Sequence, residues 1–463
     1  MGKRRFWVSR ASGAIVRAFV VAAALLALLR PALAQEKEKH FTLDNGLRVI
    51  LLERHSVPLV HIAVAVNLGT KDETEETSGL IHLLEHCVLF RGTELRSGSD
   101  VSREIRDHGA YFNAQTGNDL CVFEISLPVE HTDFGLRNQK EILFNLSLTQ
   151  EELDREKEVI LEEFSQMEDD PRRFAIDLVF QSLFAGHPYG RSIYGDREVI
   201  KGATAERMKA FADGFIVPSN CALAVVGDLS LQEMEDKVRA VFGPLLRKEF
   251  TAPTFAKAPI LKKSVGRREE RDVKEGYVVI GCVAPDYNHE DQYAFHVLTQ
   301  VLGRGINPLL YGALRGRREL AETVSMSYLA NKYGGLGLVV LTCEPEKAAS
   351  AEREAVRYLR QVRGLNFSKQ DYAGEQAIYA FEFLGSAKNQ IRFGSQQGQE
   401  SGLAMASALA RHLLLADSLD APDYLDQIIK VKSTDLRSVA GQYLGRGEFV
   451  SVVVVPRKGE EKK

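Results

Sequence analysis

The chain has 463 residues, and its 59 basic and 63 acidic side chains give a formal net charge of −4 at neutral pH. Six basic residues and no acidic residue lie in 1–34, so the chain without that segment has 53 basic against 63 acidic side chains. This acidic balance argues against a nucleic acid as partner.

The first 34 residues have the pattern of a cleaved export signal. Basic residues lead into an apolar run of 12 residues, Ala18–Leu29, which is followed by the small-residue cleavage pattern Ala32-Leu33-Ala34. We therefore expect cleavage after Ala34 and export, most simply to a bacterial periplasm. No later segment is long and apolar enough to cross a bilayer, so we expect no transmembrane span in the mature chain.

The next informative segment is His82-Leu-Leu-Glu85-His86. In a helix the two histidines stand one turn apart on one face, so both imidazoles can reach one metal ion, with Glu85 beside them. This is the inverted zinc-peptidase motif, H-x-x-E-H. The pattern could also be a solvated helix face. However, the surrounding residues are apolar nearly all round, which predicts a buried helix whose polar side chains need partners.

A second helix is predicted over 153–167, with an apolar stripe formed by Leu153, Ile160, Phe164 and Met167. On a helical wheel Glu156 and Glu163 fall on the edge of this stripe, whereas Glu158 and Glu162 project to the opposite side. A carboxylate that faces the protein needs a cation, and the predicted metal is the obvious candidate.

The mature chain is expected to form two domains. Residues 247–272 lack sustained periodicity and are interpreted as a linker between a first domain, 35–246, and a second, 273–463. Each half has strands and helices in a similar order, which predicts an internal duplication of one α+β unit, with a mostly antiparallel sheet packed by helices. The predicted elements are strands Leu47–Glu53, Val60–Asn67 and Cys221–Val226, then strand Tyr277–Ala284, helix Gln292–Leu302 and strand Phe449–Val455.

Five cysteines at long spacings do not suggest a disulfide framework. Four of them lie in apolar, strand-like runs and are expected to be buried thiols: Cys121, Cys221, Cys282 and Cys343. Cys87 points to a different helix face from the histidines and is given no metal role.

The motifs resemble those of the pitrilysin/insulinase family of zinc metallopeptidases, which includes the mitochondrial processing peptidases. His82-Leu-Leu-Glu85-His86 followed by Phe90-Arg-Gly-Thr93 is similar to the family's H-x-x-E-H…F-x-G-T signature. The segment Glu156–Glu163 is similar to its downstream helix. The resemblance implies one zinc ion (Zn2+) per chain, held by His82, His86 and Glu163, with Glu85 as general base and Glu156 as a supporting glutamate that orients a ligand.

Two further segments resemble substrate-binding parts of the family. Gly109–Thr116 is similar to a strand motif, which implies that Asn113 binds substrate backbone. The residues alone favour a turn or strand-end role for Asn113. Residues 309–324 are similar to the segment that carries an Arg and, seven residues later, a Tyr that stabilise the oxyanion. Arg315 matches the Arg, but Glu322 stands at the Tyr position, and an anion there would repel an oxyanion.

The resemblance implies a closed chamber built from two chains, because members of this length have half of the four-domain chamber of the long members. The missing Tyr suggests a heterodimer whose partner supplies the Arg/Tyr pair, although a homodimer remains open. We expect a zinc endopeptidase that cleaves small or unfolded peptides. The alternatives are a non-catalytic subunit or scaffold of this fold, and a zinc hydrolase of a non-peptide substrate.

Overall fold

The fold is described from a computed structural model that covers residues 37–304, 308–316, 318–364, 375–416 and 423–457. The predicted export signal, 1–34, lies outside these residues. The described strands are β1 Lys37–Thr42, β2 Arg48–Glu53, β3 Leu59–Val66, β4 Tyr111–Thr116, β5 Cys121–Pro128, β6 Cys221–Gly227, β7 Val265–Arg271, β8 Gly276–Ala284, β9 Thr323–Asn331, β10 Gly334–Cys343 and β11 Val450–Pro456.

The helices of the first half are α1 Leu80–Phe90, α2 Gly98–Asp107, α3 Thr132–Phe144, α4 Gln150–Asp169, α5 Pro171–Leu183, α6 Arg197–Lys201, α7 Ala205–Phe215 and α8 Leu231–Phe242. Those of the second half are α9 Gln292–Gly303, α10 Leu309–Tyr311, α11 Ala348–Gln361, α12 Glu375–Glu400, α13 Gly402–Leu415, α14 Tyr424–Lys430 and α15 Ser433–Val439. The predicted strands and the predicted helix Gln292–Leu302 agree with these elements to within one residue at each end.

The two sheets share one topology. The first has the order β1-β2-β6-β3-β5-β4, and the second has the order β7-β11-β8-β10-β9. Without β1 the orders correspond strand for strand. Each sheet contains one parallel pair, β2 with β6 and β7 with β11, and its other neighbours are antiparallel. The predicted α+β class with two similar units, each with a mostly antiparallel sheet packed by helices, is confirmed.

The linker prediction is wrong for its last residues. The chain has no helix or strand from 247 to 264, but 265–271 form β7, the edge strand of the second sheet. Among the described strands it pairs with β11 alone, and all of its side chains are exposed or half-buried. An exposed edge strand can be rich in Arg and Glu, so it lacks the apolar alternation by which strands are recognised in a sequence.

One face of each sheet is covered by a helix from the other half of the chain. Helix α13, from the second half, packs Ala406, Ala410 and Leu413 against the first sheet. Helix α5, from the first half, packs Ala175 and Val179 against the second sheet. The opposite face of each sheet packs against helices of its own half. Because both faces are covered, the central strands are apolar along their whole length.

No helix among the described residues is both long and apolar enough to cross a membrane. The five cysteines are free and buried, which confirms the prediction of buried thiols for Cys121, Cys221, Cys282 and Cys343.

Candidate metal centre

Helix α1 carries the H-x-x-E-H motif in a buried setting between α4 and β4. The ring centroids of His82 and His86 are 5.0 Å apart, and the ring planes are nearly perpendicular. Glu85 and His86 are each only 7% exposed. The helix forms here because nearly all its residues are apolar and pack into the first core, which leaves the two imidazoles directed to a common point near α4.

Helix α4 brings Glu163 to the same point. This helix begins with a capping box between Thr149 and Glu152. Glu163 Oε2 lies 3.7 Å from His82 Nε2 and 3.7 Å from His86 Nε2. One donor atom from each of the three residues lies within 4.8 Å of the other two.

Two imidazole nitrogens and a carboxylate oxygen are a donor set of catalytic zinc sites. Burial, and then the neighbouring His86, lower the pKa of His82 to about 4, so this ring is neutral at pH 7 and offers a lone pair. The side chain of Glu163 is 40% exposed, so one side of the triad faces solvent. The three residues therefore fit a zinc ion with a position left open for water or substrate.

Glu156 supports the triad from behind. Its carboxylate is 3% exposed, with Oε2 lying 3.3 Å from Nδ1 of His86 and Oε1 accepting a hydrogen bond from Nη2 of Arg91. Burial alone would lower the pKa of His86, but the hydrogen bond to Glu156 and the charges of Glu163 and Glu85 outweigh it and raise that pKa. The carboxylate thus holds the imidazole of His86 with its Nε2 turned towards Glu163.

Glu85 lies beside the triad and accepts a hydrogen bond of 2.5 Å from the hydroxyl of Thr116, at the end of β4. Burial raises the pKa of Glu85, and the hydrogen bond from Thr116 and the charge of His86 partly oppose this. A carboxylate whose pKa is raised towards the working pH is suited to accept and return a proton.

The two predicted substrate-binding residues lie in different halves of the chain and in different surroundings. Asn113 is half-buried on β4, the edge strand that packs against α1. Arg315 is exposed in the second half, where its Nη1 donates to the main-chain carbonyl of Glu322 and its guanidinium lies 5.5 Å from the ring centre of Tyr311. Asn113 therefore lies on the strand that packs against the metal helix, whereas Arg315 contacts its own segment.

Three residues near the triad were not found by sequence reasoning. Arg91 and Thr116 hold Glu156 and Glu85, and the ring centroid of Tyr194 lies 5.9 Å from that of His82. Arg91 and Thr116 both lie within motifs that had been singled out, so a search for partners of the buried carboxylates could have suggested them. Tyr194 lies in a loop without any recognisable pattern.

Two family profiles match the chain. The profile described as insulinase (Peptidase family M16) matches residues 48–197, and the one described as Peptidase M16 inactive domain matches residues 202–379. An uncharacterized zinc protease of Mycobacterium leprae is 26% identical over 434 residues, which are 90% of this chain and 93% of that protein. Zinc protease PqqE of Helicobacter pylori is 25% identical over 434 residues, which are 91% of this chain and 93% of that protein.

Solved structures show the same fold. The crystal structure of a protease from Helicobacter pylori has a TM-score of 0.82 at 24% identity and covers 91% of this chain and 100% of its own. That of a peptidase M16 inactive domain from Pseudomonas fluorescens has a TM-score of 0.78 at 17% identity and covers 92% of this chain and 99% of its own. The two profiles, which together match more than half of the chain, show that it belongs to the insulinase family, Peptidase family M16.

Proposed function

We propose that this chain is a zinc-dependent endopeptidase that holds one zinc ion through His82, His86 and Glu163. The observation that carries the proposal is the convergence of these three donor atoms within 4.8 Å, with the buried carboxylate of Glu85 next to them. A zinc ion in such a site supplies Lewis acidity, which polarises a carbonyl and makes water a stronger acid.

Glu85 is the proposed general base. It takes a proton from the attacking water and passes it to the amine that leaves. Thr116 holds one carboxylate oxygen of Glu85, which limits the rotation of the carboxyl group. Substrate backbone would pair with the outer edge of β4, the last of the described strands in this sheet, on which Asn113 lies. This arrangement favours extended, flexible peptides over folded proteins.

The proposal includes a second chain. The exposed position of Arg315 and the presence of Glu322 at the family's Tyr position leave the oxyanion without a complete donor pair from this chain. A homologous partner would supply the Arg and Tyr and close a chamber around the peptide; a homodimer would have to work without that Tyr. We propose a periplasmic location on the basis of the export signal predicted in 1–34.

The test uses the mature chain and its Glu85→Gln variant, with Glu158→Gln as matched control because Glu158 is exposed on α4. Zinc content and cleavage of a quenched-peptide library are measured with and without the native partner recovered by pull-down. We expect Glu85→Gln to keep its zinc and its melting temperature but to lose at least about 100-fold in activity, as expected for loss of a general base. Undiminished turnover in Glu85→Gln would refute the mechanism.

A non-catalytic subunit of the same fold is the second candidate. Glu322 favours it, and so does the match of residues 202–379 to the profile described as an inactive domain. Zinc content separates the two candidates first: a chain that binds no zinc, alone or with its partner, belongs to the second. A chain that binds zinc and cleaves peptides only with its partner has a divided active site, which agrees with the first.

A further inference from the structure

The two histidines of the triad are held in different ways. His86 has the carboxylate of Glu156 at its Nδ1. The Nδ1 of His82 is buried and has no hydrogen-bond partner among the described residues, and the ring lies edge-on to those of His86 and Tyr194. Because no hydrogen bond at Nδ1 orients this imidazole, its direction depends on where the backbone of its helix is placed. His82 is the third residue of α1, so the relevant backbone is the first helical turn.

The first turn of α1 has no cap from its own N-cap residue, Gly79. This glycine has a φ of +92°, and a Cβ built on the adjacent Gly195 would lie 2.2 Å from its Cα, so the two backbones meet where a capping side chain would otherwise stand. The cap comes instead from Glu73. Its Oε1 accepts hydrogen bonds from the backbone N–H groups of Gly79 and Ile81, both at 3.0 Å. Such bonds satisfy N–H groups that a helix start leaves unpaired, and the negative charge suits the helix dipole.

Glu73 is itself attached to the sheet. It follows a short 3-10 turn, Thr70–Asp72, whose backbone is fastened to the turn between β4 and β5. The N–H of Thr70 donates to the carbonyl of Gly117 at 3.1 Å, and the N–H of Lys71 donates to that of Asn118 at 3.1 Å. The same hairpin holds Glu85 through Thr116. One hairpin therefore fixes the base directly and the start of the metal helix through Glu73.

The burial of Glu73 is costly for a residue that only caps a helix. Glu73 is 3% exposed, and its Oε2 has no hydrogen-bond partner in the described part of the chain. Burial raises the pKa of Glu73 to about 7, although the N–H groups of Ile81 and Gly79 oppose the shift. A Ser, Thr, Asp or Asn at the helix start caps more cheaply. A buried carboxylate with a raised pKa next to a candidate site is a candidate for a functional role.

We propose that Glu73 is a positioning residue of the metal centre: its two hydrogen bonds fix the first turn of α1 on the β4–β5 hairpin and so direct the imidazole of His82 towards the metal. This inference rests on the zinc site proposed above. It assigns to Glu73 the task for His82 that Glu156 performs for His86.

The experiment measures the zinc dissociation constant of the full mature chain by competition with a chromophoric chelator, and the visible spectrum of the Co2+-loaded chain. The variants are Glu73→Ala and Glu73→Gln, with Glu75→Ala as control because Glu75 is exposed in the same segment. We expect Glu73→Ala to weaken zinc binding by about 10-fold or more, as is usual for groups that orient ligands, and to alter the cobalt spectrum. Glu73→Gln keeps an oxygen that can accept both bonds and should stay close to wild type, as should Glu75→Ala.

Each other outcome counts against the proposal. If Glu73→Ala lowers only the melting temperature and leaves zinc affinity and the cobalt spectrum unchanged, Glu73 is a structural cap. If Glu73→Gln is as weak as Glu73→Ala, the two hydrogen bonds do not explain the effect. If Glu73→Ala does not fold, Glu73→Asp is measured instead, because its side chain is one methylene shorter and moves the accepting oxygen away from the two N–H groups. Unchanged zinc affinity in Glu73→Asp overturns the proposal. A wild-type chain without zinc would overturn the proposed function as well, which distinguishes the two failures.

Discussion

Replacement of Glu156 by Gln separates the charge of this side chain from its shape. The carboxylate receives Arg91 on one oxygen and faces Nδ1 of His86 with the other. Both contacts require an acceptor, because Arg91 has only donors and a metal-binding His86 carries its proton on Nδ1. A Gln side chain has one acceptor and one donor, so one of the two contacts must become a contact between donors.

The expected size of the effect follows from these contacts. Loss of a partner that orients a metal-binding histidine weakens metal affinity roughly 10- to 100-fold, or about 1.4–2.7 kcal/mol. The side chain of Glu156 is 3% exposed and that of Arg91 is 18% exposed, so water can replace little of what is lost. A hydrogen bond to a charged group contributes about 1.5–3 kcal/mol, and we expect the unfolding free energy of the zinc-free chain to fall by a similar amount.

The assay determines zinc affinity by chelator competition and stability by urea unfolding, for wild type, Glu156→Gln and Glu158→Gln. The control lies on the same helix but is exposed, so it should change neither quantity. Zinc affinity in Glu156→Gln equal to that of wild type would refute the conclusion that Glu156 orients His86. A loss of stability without any loss of affinity would limit its role to holding Arg91.

Three other predictions concern His55, Leu413 and the cysteines. Hydrogen bonds to Asp228, and then to Glu53, raise the pKa of His55, so the folded state favours its protonated form. His55→Gln should therefore lower the melting temperature at pH 5.5, which is below the unfolded pKa of about 6.5. Its effect should become smaller as the pH rises through the raised pKa of the folded state. Equal effects at pH 5.5 and 9 would contradict this prediction. Leu413 on α13 is 3% exposed, so Leu413→Ala should lower the free energy of unfolding by about 2–5 kcal/mol and reduce hydrogen-exchange protection in β3 and β6 of the first sheet. Unchanged protection in these strands would contradict the packing of α13 against the first sheet. Burial raises to about 12 the pKa of four thiols, those of Cys87, Cys121, Cys221 and Cys282. These thiols should therefore resist iodoacetamide at pH 8 in the native chain and react only when the chain is unfolded. Rapid labelling of them in the native chain would contradict this prediction.

The sequence by itself determined the features that depend on neighbours along the chain. The spacing of His82 and His86 is a property of one helix, and so is the inward direction of Glu156 and Glu163, which the helical wheel predicted from the apolar stripe of α4. The structure brings His82, His86 and Glu163 together and buries Glu156. The α+β class and its repetition could also be predicted, because the central strands and the helices differ in hydrophobic period.

Only the tertiary structure decided which distant residues hold these side chains. Arg91 and Thr116 hold Glu156 and Glu85 through contacts that no local period encodes, since each hydrogen bond joins segments that meet only after folding. The sequence also did not predict that α5 and α13 each cover the sheet of the other half, because an apolar helix face does not specify which of two similar sheets it covers. The charged strand β7 was missed because an edge strand is held by backbone pairing, which leaves its side chains free to be polar.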